Sequence, residues 1–185
     1  VVAANNIAST LWNLFSVCFI SLGSATGIII GQMLGAGKPA DEVRDCDRKL
    51  IAFSVTSCAV FGIAMAAVSG VFPLIYKTDN SVRSLATAFI CINAVIMPFN
   101  AYANAAYFTL RSGGKTLSTL LFDSCFVWVV SVPVAYTLSR FTGIAILPLY
   151  AVCQSAEILK CVIGYIMLRR GSWIKNIVQT HPDAK

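Results

Sequence analysis

The sequence predicts an all-α protein, a polytopic transmembrane helix bundle of five spans, and three observations lead to that fold class. Apolar residues make up 57% of the 185 positions and charged residues only 12%, about half the charge of a typical soluble domain. The mean hydropathy is +0.76. The charges fall in short gaps between apolar windows long enough to cross a bilayer. These properties argue against a soluble enzyme, a disordered protein or a nucleic-acid-binding protein, although the net charge is +6.

Each of the five apolar windows is predicted to form one helix. The gaps between them are Lys38–Lys49, Lys77–Arg83, Arg111–Lys115 and Arg140–Gly143. Because an irregular backbone cannot lie in lipid, such short connections make neighbouring helices antiparallel. We therefore place the helices near residues 6–34, 50–76, 84–110, 117–139 and 145–168.

Lysine and arginine are unevenly divided between the two sides of the predicted bundle. Lys77, Arg83 and Arg140 lie on one side. Because cations are enriched in cytoplasmic loops, the richer side is predicted to be cytoplasmic, and the C-terminus lies on it. We expect a multi-pass protein of the plasma (inner) membrane. The nine cations on that side are Lys38, Arg44, Arg48, Lys49, Arg111, Lys115, Arg169, Arg170 and Lys175.

Glycine recurs at every fourth position along the first predicted helix. Small residues at this spacing let two helices approach closely in lipid. We expect the row to pack against another helix rather than to bind a ligand. Its members are Gly23, Gly27, Gly31 and Gly35.

A line of polar side chains runs along the third predicted helix, beside Pro98 and Tyr107. At about 100° per residue its members fall within roughly 20° of one line. An amide facing lipid would be costly, so the line faces protein or a water-filled cavity. Interhelical hydrogen bonding and a substrate pathway are both open alternatives. The members are Asn93, Asn100, Asn104 and Arg111.

Ionisable residues inside the remaining spans are few. Glu157 and Lys160 on the fifth helix are three residues apart and can form an ion pair on one face. Ionisable groups within a membrane are functional candidates, and a self-neutralised structural pair is the alternative. Asp123 on the fourth helix can reach Arg111 or Lys115, and we expect this pairing to be structural.

The sequence lacks the residue patterns of catalytic and metal sites. Its single histidine, His181, lies in the tail, and none of the seven cysteines forms a CxxC pair. Zinc sites need clustered ligands, and acid–base chemistry would have to use the apparently paired Asp123 or Glu157. We therefore expect neither an enzyme nor a metal site.

Several motifs together resemble one known family. They are GQMLGAG at 31–37, LRSGGKT at 110–116, the series Asp123, Trp128 and Pro133, QSAEILK at 154–160, and WIKN at 173–176. In this order and spacing they resemble the multidrug and toxic compound extrusion (MATE) family over nearly the whole chain. The individual motifs are weak, and their combination with five spans makes the match fairly specific.

The resemblance implies a two-lobe transporter of twelve helices. Residues 1–176 would be part of the C-terminal lobe, from the eighth helix to the twelfth, and 177–185 a cytoplasmic tail. The expected partners are membrane lipid, a small amphipathic or cationic substrate and the N-terminal lobe of the same protein, which this sequence lacks. The implied activity is export of organic cations and drugs in exchange for Na+ or H+, with no cofactor besides this coupling ion.

The resemblance also bears on the residues of the pathway. Some members have a cation-binding acid eleven residues before the loop arginine, where this sequence has Asn100. The departure puts a cation site of that kind in doubt, and it leaves Glu157 or an acid of the absent lobe to couple the ion. The residues expected to line the substrate and cation pathway are Asn93, Asn100, Asn104, Tyr107, Glu157 and Lys160.

Two alternatives stay open at this point. A lipid-linked oligosaccharide flippase of the same superfamily would need several cations in its cavity for a pyrophosphate, and the spans here offer only Lys160 and Arg111. A non-transporting membrane fragment is the other alternative, because half of the expected transporter is missing from this sequence.

Overall fold

A computed structural model describes residues 2–114, 119, 126–141, 146–171 and 173–174. Across these ranges all regular structure is helical, and four of the helices are long and apolar enough to span a membrane. The all-α membrane fold class is therefore confirmed, while the predicted span 117–139 lies partly outside the described residues. The helices are α1 (Val2–Gly35), α2 (Ala40–Val68), α3 (Asn80–Ser112), α4 (Val132–Phe141) and α5 (Ile146–Arg169).

The segment between the first two spans is mostly helix rather than the loop that its charges predict. Helix α2 begins at Ala40, ten residues before the predicted start. Ion pairs one helical turn apart support this extension, at 3.0 Å between Lys38 and Glu42 and 3.3 Å between Lys49 and Asp45. Acidic residues in the first turn also complement the helix dipole. The charged residues of this segment therefore belong to the first turns of a helix and not to a loop.

Helix α2 also ends earlier than predicted, at Val68 instead of residue 76. Gly70 and Pro73 follow, and both residue types disfavour continuation of an α-helix. The chain forms a 3₁₀ turn at Phe72–Ile75. Helix α3 then begins at Asn80, four residues before the predicted start.

Helices α1, α3 and α5 run in one direction and α2 runs in the opposite direction, so their ends meet in two groups. At one end Ile30 of α1, Val43 of α2 and Leu110 of α3 pack with Trp173, which follows α5. We call this the charged end, because Lys38–Lys49, Arg111 and Arg169 lie there. The first residues of α1 and α3 pack at the opposite end with the last turns of α2 and with Tyr150 of α5.

The glycine row of α1 faces α3 over most of its length. A Cβ atom added to Gly23 or Gly27 would lie 3.0 Å from the side chain of Phe108, and one added to Gly31 would lie 3.7 Å from Ser112 Cβ. The Ser112 hydroxyl donates a 2.6 Å hydrogen bond to the carbonyl of Gly27. Gly35 has open space instead, so it takes no part in this packing.

Pro98 interrupts the hydrogen-bond ladder inside α3 without ending the helix. A proline cannot donate to the carbonyl four residues earlier, which here belongs to Ala94. Gly62 of α2 packs directly on that carbonyl, since a Cβ at Gly62 would lie 2.7 Å from the Ala94 oxygen. The freed carbonyl of α3 and the bare backbone of α2 therefore form one close contact, which holds the polar face of α3 towards α1 and α5.

Candidate functional site

A cavity of about 390 Å³ lies between α1, α3 and α5. This volume is within the range of small-molecule sites in proteins. The cavity brings together residues from three helices that are distant in sequence. Its lining consists of Trp12, Asn100, Ala103, Asn104, Tyr107, Phe108, Gln154, Glu157 and Lys160.

The α3 wall of the cavity contains most of the predicted polar line. Asn104 donates its amide N–H to the backbone carbonyl of Asn100 at 3.0 Å, and Asn100 donates to the carbonyl of Ile96 at 3.5 Å. Among the described residues, no donor occupies either side-chain carbonyl oxygen. Tyr107 and Phe108 continue the wall with two rings set edge to face, 5.4 Å apart. This wall therefore offers amide oxygens and aromatic faces to an occupant.

The α5 wall supplies one acid and one base to the cavity. Lys160 Nζ lies 3.2 Å from Glu157 Oε2, and the exposed fractions of the two side chains are 10% and 24%. Lys160 Nζ also lies 5.5 Å from the centroid of the Phe126 ring, within cation–π range. A base held this deeply depends on its neighbours, because removing the partner of a buried charge is strongly unfavourable. Glu157 is thus the more accessible member of the pair.

Asn93 lies on the predicted polar line, and its contacts place it beside the cavity rather than in the lining. It is 2% exposed. Its side-chain oxygen accepts hydrogen bonds from Tyr150 Oη at 2.9 Å and from Gln154 Nε2 at 2.8 Å. Asn93 therefore joins α3 to α5 and holds Gln154, which does line the cavity.

The remaining predicted residues lie elsewhere. Arg111 is exposed at the charged end of α3. Its predicted partner Asp123 lies outside the described residues. The glycine row meets α3 on the side of Phe108 and so sets the distance between two walls of the cavity.

Sequence reasoning missed several residues of the lining. Trp12 comes from α1, 81 residues before Asn93 at the start of the polar line, and no local pattern links it to that line. Phe108 and Ala103 are apolar residues of α3 and have no distinguishing signal. Gln154 did have a distinguishing signal in the sequence, because it lies three residues before Glu157 on the same helical face.

The buried carboxylate of Asp47 was missed because its neighbours suggested a loop. Asp47 is 3% exposed, and it accepts a 2.7 Å hydrogen bond from the hydroxyl of Thr109 on α3. Burial of a carboxylate requires such a partner. This contact fixes the first turns of α2 against the last turns of α3 at the charged end.

Comparisons with known proteins agree with the fold and the motifs. The sequence profile of the MatE family matches residues 1–137. The chain is 27% identical over 140 residues to the probable multidrug resistance protein NorM of Mannheimia succiniciproducens, covering 75% of this chain and 30% of that protein. It is 28% identical over 149 residues to the NorM of Pasteurella multocida, covering 76% and 30%.

A third relative is the multidrug resistance protein PmpM of Pseudomonas aeruginosa. It is 28% identical over 144 residues, which cover 75% of this chain and 29% of PmpM. No solved structure matches the chain. The matched region spans about three tenths of the length of these curated relatives. Because the family profile covers well over half of the residues, the chain belongs to the MatE (MATE) family of integral membrane transporters.

Proposed function

We propose that the cavity between α1, α3 and α5 is part of the pathway of a multidrug antiporter, which exports organic cations and amphipathic drugs in exchange for Na+ or H+. The observation that carries the proposal is the Glu157–Lys160 ion pair in a cavity otherwise walled by amides and aromatic rings. The names of the curated relatives, which are multidrug resistance proteins, support the same activity.

The lining suits an organic cation with an apolar body. Glu157 supplies a negative charge, and the amide oxygens of Asn100 and Asn104 supply further acceptors. The rings of Trp12 and Tyr107 offer the faces on which a cation is attracted by the ring quadrupole. Because none of these contacts requires one molecular shape, the site favours a chemical class over a single compound.

The ion pair suggests how exchange is coupled. Lys160 is an internal cation that already neutralises Glu157 at 3.2 Å. A proton, a sodium ion or a cationic drug must compete with Lys160 for the same carboxylate, so occupancy by one disfavours occupancy by another. A ligand shifts a conformational equilibrium only through its differential affinity for the two states. Competition at Glu157 would supply that difference.

We also propose a plasma (inner) membrane location, a cytoplasmic C-terminus and a second lobe that completes the pathway.

A pyrophosphate-bearing lipid fits the cavity less well. Among the described lining residues the cation is Lys160, and it is already paired with Glu157. A flippase for such a lipid would be expected to offer several cations.

The test is transport by the natural full-length protein in proteoliposomes. Efflux of the fluorescent cation ethidium is measured under an imposed Na+ gradient and, separately, under an imposed H+ gradient. We expect one gradient to drive efflux and Glu157→Gln to abolish the coupling, because the glutamine has no charge for the ions to share. Asn100→Leu should reduce the rate of ethidium efflux while leaving the protein folded.

The matched control is Glu42→Gln at the charged end. Glu42 also pairs with a lysine, at 3.0 Å, yet it lies outside the cavity. We expect this variant to transport like the parent protein. Ethidium movement that is indifferent to both gradients would overturn the proposal in favour of a non-transporting membrane protein. Equal gradient-driven efflux by the Glu157→Gln and parent proteins would refute the role of Glu157 in coupling.

A further inference from the structure

A second and larger cavity, of about 700 Å³, opens between α2, α3 and α5 close to the charged end. Three arginines and one acid, Asp47, contribute charges to its wall, so the wall has a formal charge of +2. Deeper in, the wall is apolar and aromatic. The arginines are Arg44, Arg48 and Arg169, and the apolar wall includes Ile51, Val55 and Leu168.

The arginines of this cavity form no close ion pairs with the described carboxylates around them. Glu42 and Asp45 pair with Lys38 and Lys49 instead. Asp47 accepts the hydroxyl of Thr109. Within the described ranges, no ion pair joins a carboxylate to any of the three arginines. The cavity therefore keeps positive charge beside apolar surface.

Arg44 gives an independent observation that favours a ligand at this cavity. Its Nε atom is buried and has no hydrogen-bond partner among the described residues. The guanidinium rests against the end of α5, since a Cβ at Gly171 would lie 2.7 Å from Arg44 Nη2. Gly171 has a φ of +64°, and its lack of a side chain leaves room for this group. A buried N–H without an acceptor is costly, so an acceptor beyond the described residues is expected here.

We infer that this cavity binds one anionic phospholipid. The phosphate would be held by Arg44, Arg48 and Arg169, because arginine presents paired N–H groups that match phosphate oxygens. An acyl chain would lie along the apolar wall, and the helix ends place the arginines at headgroup level. Basic pockets between membrane helices suit such headgroups. This site is separate from the cavity between α1, α3 and α5 and does not depend on the proposed transport.

Native mass spectrometry of the natural full-length protein in detergent tests the inference. Phosphatidylglycerol and phosphatidylcholine with identical acyl chains are titrated separately, and we expect preferential retention of phosphatidylglycerol. Each surface arginine contributes roughly a fivefold factor to anionic lipid binding, so the double variant Arg48→Gln/Arg169→Gln should weaken retention about thirtyfold. Both residues are exposed, and the variant is expected to fold.

The matched control is the double variant Lys38→Gln/Lys49→Gln, which removes the same charge from the same end but outside the cavity. We expect its affinity for phosphatidylglycerol to stay near the parent value. Ala52→Trp fills the cavity wall without changing its charge and should also lower retention. Inorganic phosphate at the same concentrations should not displace the lipid.

Four results would overturn the inference. Equal losses in the two double variants would indicate attraction to the charged surface rather than binding in the cavity. Equal retention of the two lipids in the parent protein would exclude selection for an anionic headgroup. Displacement by inorganic phosphate would show that the cavity takes a free anion. Full retention by Ala52→Trp would show that the lipid lies outside the cavity.

Discussion

The contact between Gly62 and the carbonyl of Ala94 gives a sharp prediction about the packing of α2 on α3. In Gly62→Ala the new Cβ would lie 2.7 Å from the Ala94 oxygen. A carbon needs about 3.3 Å or more from a carbonyl oxygen, so the two backbones must separate by roughly 0.6 Å. Because both partners are backbone atoms, no side chain can turn away. Overpacking of this kind costs about 1–3 kcal/mol of unfolding free energy.

Gly31→Ala is the control, because a Cβ there meets its nearest neighbour at an ordinary 3.7 Å. Both substitutions replace glycine in a helix interior and gain about 1 kcal/mol of helix propensity. The difference between the variants is therefore the overpacking cost, a factor of roughly 5 to 140 in the unfolding equilibrium constant. SDS-induced unfolding of the detergent-solubilised full-length protein, followed by circular dichroism, measures it. Equal stability of the two variants would refute the close contact.

Two further predictions concern hydrogen bonds between helices. Asn93→Leu removes the acceptor shared by Tyr150 and Gln154. At about 0.6 kcal/mol per interhelical hydrogen bond in membranes, it should lower the free energy of unfolding by about 1 kcal/mol in the same assay. An unchanged unfolding midpoint would contradict the shared acceptor. Thr109→Val deletes the hydroxyl that donates to Asp47 and should lower the free energy of unfolding by about 1–3 kcal/mol, measured likewise, and a neutral effect would mean that Asp47 has another partner.

The parts of the fold that the sequence predicts are those set by local pattern. The apolar windows predicted the long helices, because about 20 consecutive apolar residues are enough for a helix to span the membrane. The predicted helix boundaries were wrong where a run of charged residues was interpreted as a loop. At Lys38–Lys49 the spacing of opposite charges at four residues stabilises a helix instead. The number of charged residues in a segment does not show how opposite charges are spaced along it.

The candidate site divides in the same way. Asn100 and Asn104 were predictable because the helical period places them on one face of α3. Asn93 shares that face but lies about 10 Å further along the axis, where α5 rather than the cavity meets it. Trp12 was not predictable, because only the packing of α1 on α3 brings it to the lining. Tertiary contacts, and not the helical period, therefore decide which residues of a polar line reach the cavity.

We expect an organic cation to occupy the cavity beside Asn104, and this occupancy can be measured directly. In a full-length variant with its natural cysteines replaced, Asn104→Cys is labelled by a membrane-impermeant maleimide with and without tetraphenylphosphonium. We predict that the cation slows labelling at this position, because both occupy the same cavity. It should not slow labelling of Asp41→Cys, which is exposed at the charged end. Equal labelling rates of the Asn104→Cys variant with and without the cation, at concentrations that saturate transport, would contradict the account.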